Sequence, residues 1–577
     1  MIATNTREFS DSLHAQTPPP HTYGAPDLVA ARKLFAATLS QLGRDGLEPV
    51  AEALGLEVNE FSDVSKLAKA VFDVVRNVGE EDSNQMMENR EVDPDEQDLV
   101  AAENYASKWL AIIAQDKLDD NTAKWVVKET IQNFGDHFNQ GWLDYRKSAT
   151  VGGDFACTEW RGEKAEIEDV LGRKYIDCLG GYGLFSLGWN NQEVLESVSN
   201  QLKKSAQCSQ ELLDPLRGVL CKLLAMTLPG KIQYAFLVNS GAEAVEGALK
   251  LAKVHTGKTG FITATKAFHG KSMGALSVSG KAIFREPVGS LYGGPVYHIP
   301  YGDAEAVEWT LESCEVAGVG IAAVIMEPIQ GEAGAIVPPD DFWPRIRLAT
   351  IKYKCLLIAD EVQTGLGRTG KLWGVDWWGV EPDIICLGKS LGGGILPISA
   401  FCSTKEIWER MMYPNPFLHT TTTGGNPLAC AAAIAAIRVT VRDKIWDQAS
   451  IKGQYILDHL HPLVQKYNDV LMNVTGRGLL IGMHFHDTMS GYLVASGLFR
   501  RGVLIAGTLN SAQTIRIEPP FCITFEQLDQ VFISLDEALQ EARIGLANIK
   551  AQKNISSLST STTQPAVPDG AQSAVTQ

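Results

Sequence analysis

Lys389 stands out in the sequence for the chemistry its setting allows. It follows the apolar run DIICL (383–387) and precedes a glycine run, so it reads as a lysine at the carboxyl end of a buried strand, where α/β proteins bind ligands. Partial desolvation there disfavours the ammonium and leaves an amine nucleophile. Taken alone, a surface lysine at a strand terminus is the plainer alternative. Asp360 closes another apolar run, CLLIA (355–359), 29 residues earlier. A carboxylate in that position could keep a pyridinium nitrogen protonated, or equally serve as a helix cap or structural ion pair. Gln363, three residues on, could hydrogen-bond a ring oxygen, although one glutamine near a turn says little. Ser240, Gly241 and Ala242 follow the run YAFLV (234–238) and open a helix. Free amides at such a helix start form an anion site, and an ordinary Ser240 N-cap is the alternative. Phe268 and His269 lie just past FITAT (261–265), where an aromatic could stack on a ring; a core phenylalanine and a satisfied structural histidine fit as well.

These positions require a sheet to hold them. The runs above, with AAVIM (322–326), alternate with helical stretches such as Ala242 to about His255 and a helix ending before Tyr353. Continuous apolar strands separated by helices predict a mostly parallel sheet covered on both faces. Residues 1–135 have a different character, with 24 acidic and 12 basic residues that supply most of the net charge of −17. Apolar residues recur there at helical spacing: Leu28, Ala31, Phe35, Leu39 and Leu42; Leu67, Val71 and Val74; Val127, Ile131 and Phe134, with Gly135 as a helix stop. The acidic stretch Glu80 to Asp98 reads as a solvated linker, and the segment as a helical appendage. From Ile549 the chain is rich in Ser, Thr, Gln and Ala without aromatics, which predicts disorder.

Three short motif matches fail on context. GLGRTG (365–370) fits the dinucleotide fingerprint GxGxxG, the basis for an NAD-dependent oxidoreductase as a distant alternative, but KLWGVDWWG follows it instead of a clear amphipathic helix. GKSLG (388–392) fits a hydrolase elbow without a matching acid and histidine. GKS (388–390) lacks the phosphate-loop glycine, since position 383 is Asp. Composition narrows the classes further. The acidic balance opposes binding to a phosphate backbone, so no nucleic-acid partner is expected. No apolar run reaches the length of a membrane span, and the longest, about Leu428 to Ile437, is alanine-rich. The N-terminus reads as lacking a secretory signal. Ten cysteines scattered without a CxxC pair fit a reducing cytoplasm and no metal site.

Taken in order from about Trp142 to Ala542, the segments resemble a class III pyridoxal-phosphate aminotransferase of fold type I. The likeness is carried by LDYRKSATVGGDF, YIDCLGGYGLFSLG, SQELLDPLR, NSGAEAVEGALKLAK, AFHGKSMGALS, EPIQGEAG, DEVQTGLGRTG, GKSLGGGILPISA, FLHTTTTGGNPLAC and TIRIEPP. Within the class, LDYRKS, SQELLDPLR, NPFLHTTT and AGTLN look most similar to putrescine aminotransferases; acetylornithine and ornithine aminotransferases are the alternative.

The resemblance implies pyridoxal 5′-phosphate as cofactor, Lys389 as the lysine that joins its aldehyde and shuttles a proton, and Asp360 facing the ring nitrogen. It further implies Phe268 stacked on the ring with His269 beside it, Gln363 at the phenolic oxygen, and Ser240, Gly241 and Ala242 around the phosphate. Thr422 would reach that phosphate from a neighbouring subunit, so the partner is a second copy in a homodimer or homotetramer. Arg516 would grip the carboxylate of 2-oxoglutarate, and Glu332 would pair with Arg516 when a diamine is bound. The implied architecture is an α/β fold type I transferase: a helical extension (1–135), the first part of a small α+β domain (136–190), a large cofactor-binding domain with a mostly parallel sheet (191–425), the rest of the small domain (426–548) and a tail (549–577). Departures from the family pattern are Ala242 in place of a common threonine, Thr423 in place of an aromatic, and WNNQ (189–192), in a segment that borders the active-site entrance in relatives.

Overall fold

The computed structural model describes Leu67 and residues 96–145, 157–209, 211–289 and 293–561. Contacts divide the chain into two compact units, Met1–Lys117 and Leu118–Gln577. In the first, helix Glu96–Ile113 begins inside the acidic stretch, before its expected end at Asp98. Leu67 is helical and buried; the stripes at Leu28–Leu42 and Val71–Val74 lie outside the described residues.

The second unit is built on two seven-stranded sheets. The larger runs, in spatial order, Ile232–Val238, Ser399–Thr404, Ile384–Leu387, Leu356–Asp360, Ile321–Met326, Gly260–Ala264 and Val296–Ile299. Ser399–Thr404 is antiparallel to both neighbours, and the pairing from Ile384–Leu387 to Val296–Ile299 is parallel. The mostly parallel sheet predicted from the apolar runs is therefore present. Its strands are apolar on both faces because helices cover both. Phe261, Ile325, Ile358, Ile384 and Cys386 share a core with Ala244, Val245, Ala248 and Leu251 of helix Gly241–Thr256. Their neighbours Ile262, Val324, Leu357, Ile385 and Leu387 share another with helices Ala304–Val316, Phe342–Lys352 and Pro427–Arg442.

The second sheet runs Glu159–Glu163, Glu166–Asp169, Lys174–Cys178, Val503–Gly507, Thr514–Ile517, Leu480–Phe485 and Leu471–Arg477. Val503–Gly507 and Lys174–Cys178 are parallel, and the other pairs are antiparallel. Arg516 lies mid-sheet, opposite Gly482 on one side and Ala506 on the other.

Two expectations about helix ends are corrected. Gly135 does not stop its helix: Asp120–Asn133 continues through a π turn, Phe134–Asn139, into Gln140–Tyr145. The aromatic rings of Phe134, Phe138 and Trp142 meet at centroid distances of 5.1, 5.3 and 5.4 Å. Such pairs contribute roughly 0.5–1.5 kcal/mol each, enough to offset the penalty of about 1 kcal/mol for one helical glycine. At the other end, helix Phe525–Ser561 passes Ile549, where composition predicts a tail. The remaining residues, 562–577, lie outside the described ones. The alanine-rich run is the buried helix Pro427–Arg442, capped by Asn426. Among the described residues no helix is long and apolar enough to cross a membrane, and no group of side chains could hold a metal ion. All ten cysteines are free thiols.

Candidate active site

The parallel strands end along one edge of the large sheet, and each end delivers one chemical group. Strand Ile384–Leu387 is wholly buried and passes through extended Gly388 to Lys389. Lys389 holds a left-handed backbone, φ 46°, which costs a non-glycine residue on the order of 1 kcal/mol or more. Its side chain borders a cavity of about 530 Å³, together with Phe268, Glu332, Tyr182, Trp142 and Phe499. Burial lowers the Lys389 pKa, opposed by the nearby charges of Glu518 and Glu332, so the free amine is favoured relative to an exposed lysine. Among the described residues its ammonium makes no hydrogen bond.

Asp360 ends the neighbouring strand, in register with Cys386. Its Oδ1 accepts from the Val362 amide at 3.1 Å, and its Oδ2 lies 2.7 Å from His269 Nδ1. Both side chains are buried. His269 Nε2 in turn lies 3.3 Å from Thr263 Oγ1, so the imidazole is held at both nitrogens and fixes the carboxylate. Glu327, directly after strand Ile321–Met326, joins two loops of the site. It accepts from the amides of Phe268 (3.1 Å) and Gly331 (3.0 Å). Burial pushes its carboxyl up to about 7.

Ser240 caps helix Gly241–Thr256 by accepting from the Glu243 amide at 3.3 Å. The amides of Gly241 and Ala242 have no acceptor among the described residues, so the Ser240 cap leaves two donors unspent. The corner adjoins Lys389. A Cβ on Gly388 would lie 2.7 Å from Ser399 Oγ and 3.6 Å from Gly241 Cα, and one on Gly241 would lie 2.8 Å from Val362 Cγ1. Side chains at these two positions would crowd Ser399 and Val362, which glycine avoids.

The second sheet contributes Arg516, which is fully buried. Its Nη2 donates to Glu332 Oε1 at 2.8 Å and to the Gly507 carbonyl at 3.1 Å, and the guanidinium lies 5.1 Å from the Tyr182 ring centroid. Arg516 Nε and Nη1 are buried without a partner. Glu332 also accepts from the Leu509 amide at 2.8 Å. Burial disfavours its charge, but Arg516 and that amide outweigh burial and hold the carboxyl below the usual range. Gln363 Nε2 donates to Glu518 Oε1 at 2.7 Å, while Glu518 Oε2 stands 3.9 Å from Arg516 Nη1 and has no partner.

Lys389, Phe268 and Glu332 thus share one cavity, with Asp360 and His269 behind the adjoining strand ends and Arg516 against Glu332. Thr422 is exposed and is not among the cavity-lining residues; its neighbour Thr423 donates to Asn239 Oδ1 at 3.1 Å. The donor set suits a phosphorylated aromatic aldehyde: amides at a helix start for the phosphate, a buried carboxylate for a ring nitrogen, and an amine of lowered basicity for the aldehyde. Glu327, Glu518, Tyr182 and Trp142 were not singled out from sequence, although each lies inside or beside a motif segment. Three aromatics at four-residue spacing, ending at Trp142, were the available signal for that wall.

Two segments turn out to be structural. WNNQ does not line the cavity. Trp189 Nε1 donates to Asp177 Oδ2 at 2.8 Å, and Asn191 caps helix Gln192–Leu202. GLGRTG forms turns rather than a helix start, and its buried Arg368 donates to the carbonyls of Leu479 (3.0 Å) and Pro519 (2.7 Å) and to Ser186 Oγ (2.8 Å).

A family model described as aminotransferase class-III matches residues 149–539. Solved structures similar to the chain include an ornithine aminotransferase from Toxoplasma gondii, 29% identical over 67% of this chain and 91% of that one, with a TM-score of 0.63. A PLP-bound amine transaminase from an uncultivated Pseudomonas species is 30% identical over 70% of this chain and 98% of that one, with a TM-score of 0.63. An acetylornithine aminotransferase from Elizabethkingia anophelis is 32% identical over 67% and 94%, with a TM-score of 0.58.

Proposed function

The chain belongs to the class-III aminotransferase family, and from that premise we propose that it moves the amino group of a diamine, putrescine or its longer homologue cadaverine, to 2-oxoglutarate. With putrescine the products are 4-aminobutanal, which cyclises to 1-pyrroline, and glutamate. When bound, pyridoxal 5′-phosphate supplies an electron sink for the pair left by a broken Cα–H bond. The chain's residues do the rest. The Gly241 and Ala242 amides, with Ser240, hold the phosphate, and Thr422 of a second copy completes the cradle. Phe268 covers the ring face, and Gln363 offers the N–H that Glu518 leaves free to the phenolic oxygen. Asp360, fixed by His269 at 2.7 Å, keeps the ring nitrogen protonated. Lys389 would hold the aldehyde of the bound cofactor, and its free Nζ would carry the proton from the donor carbon to the former aldehyde carbon.

The observation that favours a donor whose reacting carbon bears no carboxylate, as in a diamine, is the buried ion pair of Arg516 and Glu332, 2.8 Å apart beside the cavity that Lys389 lines. A diamine has no α-carboxylate and leaves the pair intact. 2-Oxoglutarate takes the place of Glu332 on the guanidinium, a bidentate contact for which Nε and Nη1 are unspent. The names of two similar structures favour a second reading, an acetylornithine or ornithine aminotransferase, in which the terminal amine reacts at a carbon that likewise bears no carboxylate and the pair again stays intact. Turnover with putrescine, cadaverine, ornithine and N-acetylornithine decides between them. Putrescine is expected to give the highest kcat/KM, and a preference for N-acetylornithine overturns the diamine assignment. Borohydride reduction of the cofactor-loaded protein should mark Lys389 in a peptide map; an unmarked Lys389 overturns the whole scheme.

A further inference from the structure

Arg516 faces two carboxylates, and only one of them is hydrogen-bonded to it. Glu332 is bonded to Nη2, whereas Glu518 Oε2 stands 3.9 Å from Nη1, too far for a hydrogen bond, and both of those atoms are buried without partners. Glu518 is also the carboxylate whose charge most strongly favours the Lys389 ammonium. Both glutamates are held through backbone and side chain. The Glu332 carbonyl accepts from the Asn510 amide at 3.1 Å, and its carboxylate accepts from the Leu509 amide and Arg516. Glu518 is anchored: its amide donates to the Cys178 carbonyl at 2.8 Å and its Oε1 accepts from Gln363. Its carbonyl is also packed so closely on Gly180 that a Cβ there would collide with it.

We propose that Glu518 is a specificity-determining residue, a fixed second counter-charge beside Arg516 that favours amines without a carboxylate and weakens the hold on carboxylate ligands. The proposal rests on the function proposed above. With Lys389 as the free amine, Arg516, Glu332 and Glu518 sum to one negative charge, which buried Arg368 near Glu518 offsets only in part. An arriving ammonium is drawn to that charge, and an arriving carboxylate is repelled by it. When a carboxylate ligand does displace Glu332, Glu518 keeps Arg516 seated from its other terminal nitrogen, so the buried cation retains a second counter-charge.

The test uses the full-length holoenzyme with two variants. Glu518→Gln removes the charge while keeping an acceptor for Gln363, and Glu518→Asp keeps the charge while giving up that reach. Calorimetric titration with glutarate, an unreactive dicarboxylate, is expected to show about ten-fold tighter binding to Glu518→Gln and wild-type affinity for Glu518→Asp. In steady state, KM for 2-oxoglutarate should fall in Glu518→Gln while KM for putrescine rises. Unchanged or weaker glutarate binding in Glu518→Gln, or the same change in both variants, overturns the proposal, because hydrogen bonding or packing would then be the cause. The glutarate titration involves no amine donor. A wild-type preference for N-acetylornithine therefore sinks the diamine reading without deciding the role of Glu518.

Discussion

A buried carboxyl with no cation bonded to it resists ionisation, and Glu327 is such a group at the centre of the site, with a pKa of about 7. Its folded value lies above the ordinary glutamate value of 4.5, so the protonated form is the one the fold favours. The resulting stabilisation is full below pH 4.5 and is lost as the pH rises through about 7. Glu327→Gln removes the titration, so the stability of the wild type should fall relative to the variant across that window, by roughly 3 kcal/mol at most. Calorimetric melting of both proteins from pH 4.5 to 8 checks this; parallel pH profiles would refute it. Glu361, raised to a similar value by burial, is present in both proteins and cancels in the difference. At this scale the sequence revealed the groups whose neighbours in the chain give them away: Lys389 after its strand and before its glycines, Asp360 at the end of an apolar run. Glu327 and Glu518 were hidden because their roles depend on partners far away in sequence, such as Phe268 and Gln363.

Elements place these groups by how closely they pack. Helix Gly241–Thr256 lies so near the sheet that a Cβ on Gly247 would overlap the Phe401 ring. Gly247→Ala should therefore lift the helix and cost on the order of 1–3 kcal/mol in stability. The first turn of that helix is the proposed phosphate corner, so titration of the cofactor-free variant with pyridoxal phosphate should show weaker binding as well; unchanged affinity would mean that the corner is held independently of the helix body. The strands were legible because fully buried parallel strands leave uninterrupted apolar runs. The observed Leu356–Asp360 and Ile384–Leu387 depart by one residue from the runs read in the sequence. The helix through Gly135 was not legible, because three mutually contacting aromatic rings outweigh one glycine and that contact exists only once the turn has formed.

For the whole molecule, the proposed reach of Thr422 into a neighbouring copy makes two chains the smallest working unit. Cofactor retention should then drop on dilution at the concentration where sedimentation shows the assembly dividing; a separated single chain that keeps its cofactor would contradict this. The large sheet gathers its chemistry along one edge from segments between Ser240 and Lys389, and the other sheet adds Arg516. No single loop holds more than three of the set, so a partly folded chain offers nothing for a vitamin-derived guest to grasp. Occupancy thereby certifies that the large sheet is finished, and a loaded chain resists heat by an amount that grows with the supply of the guest.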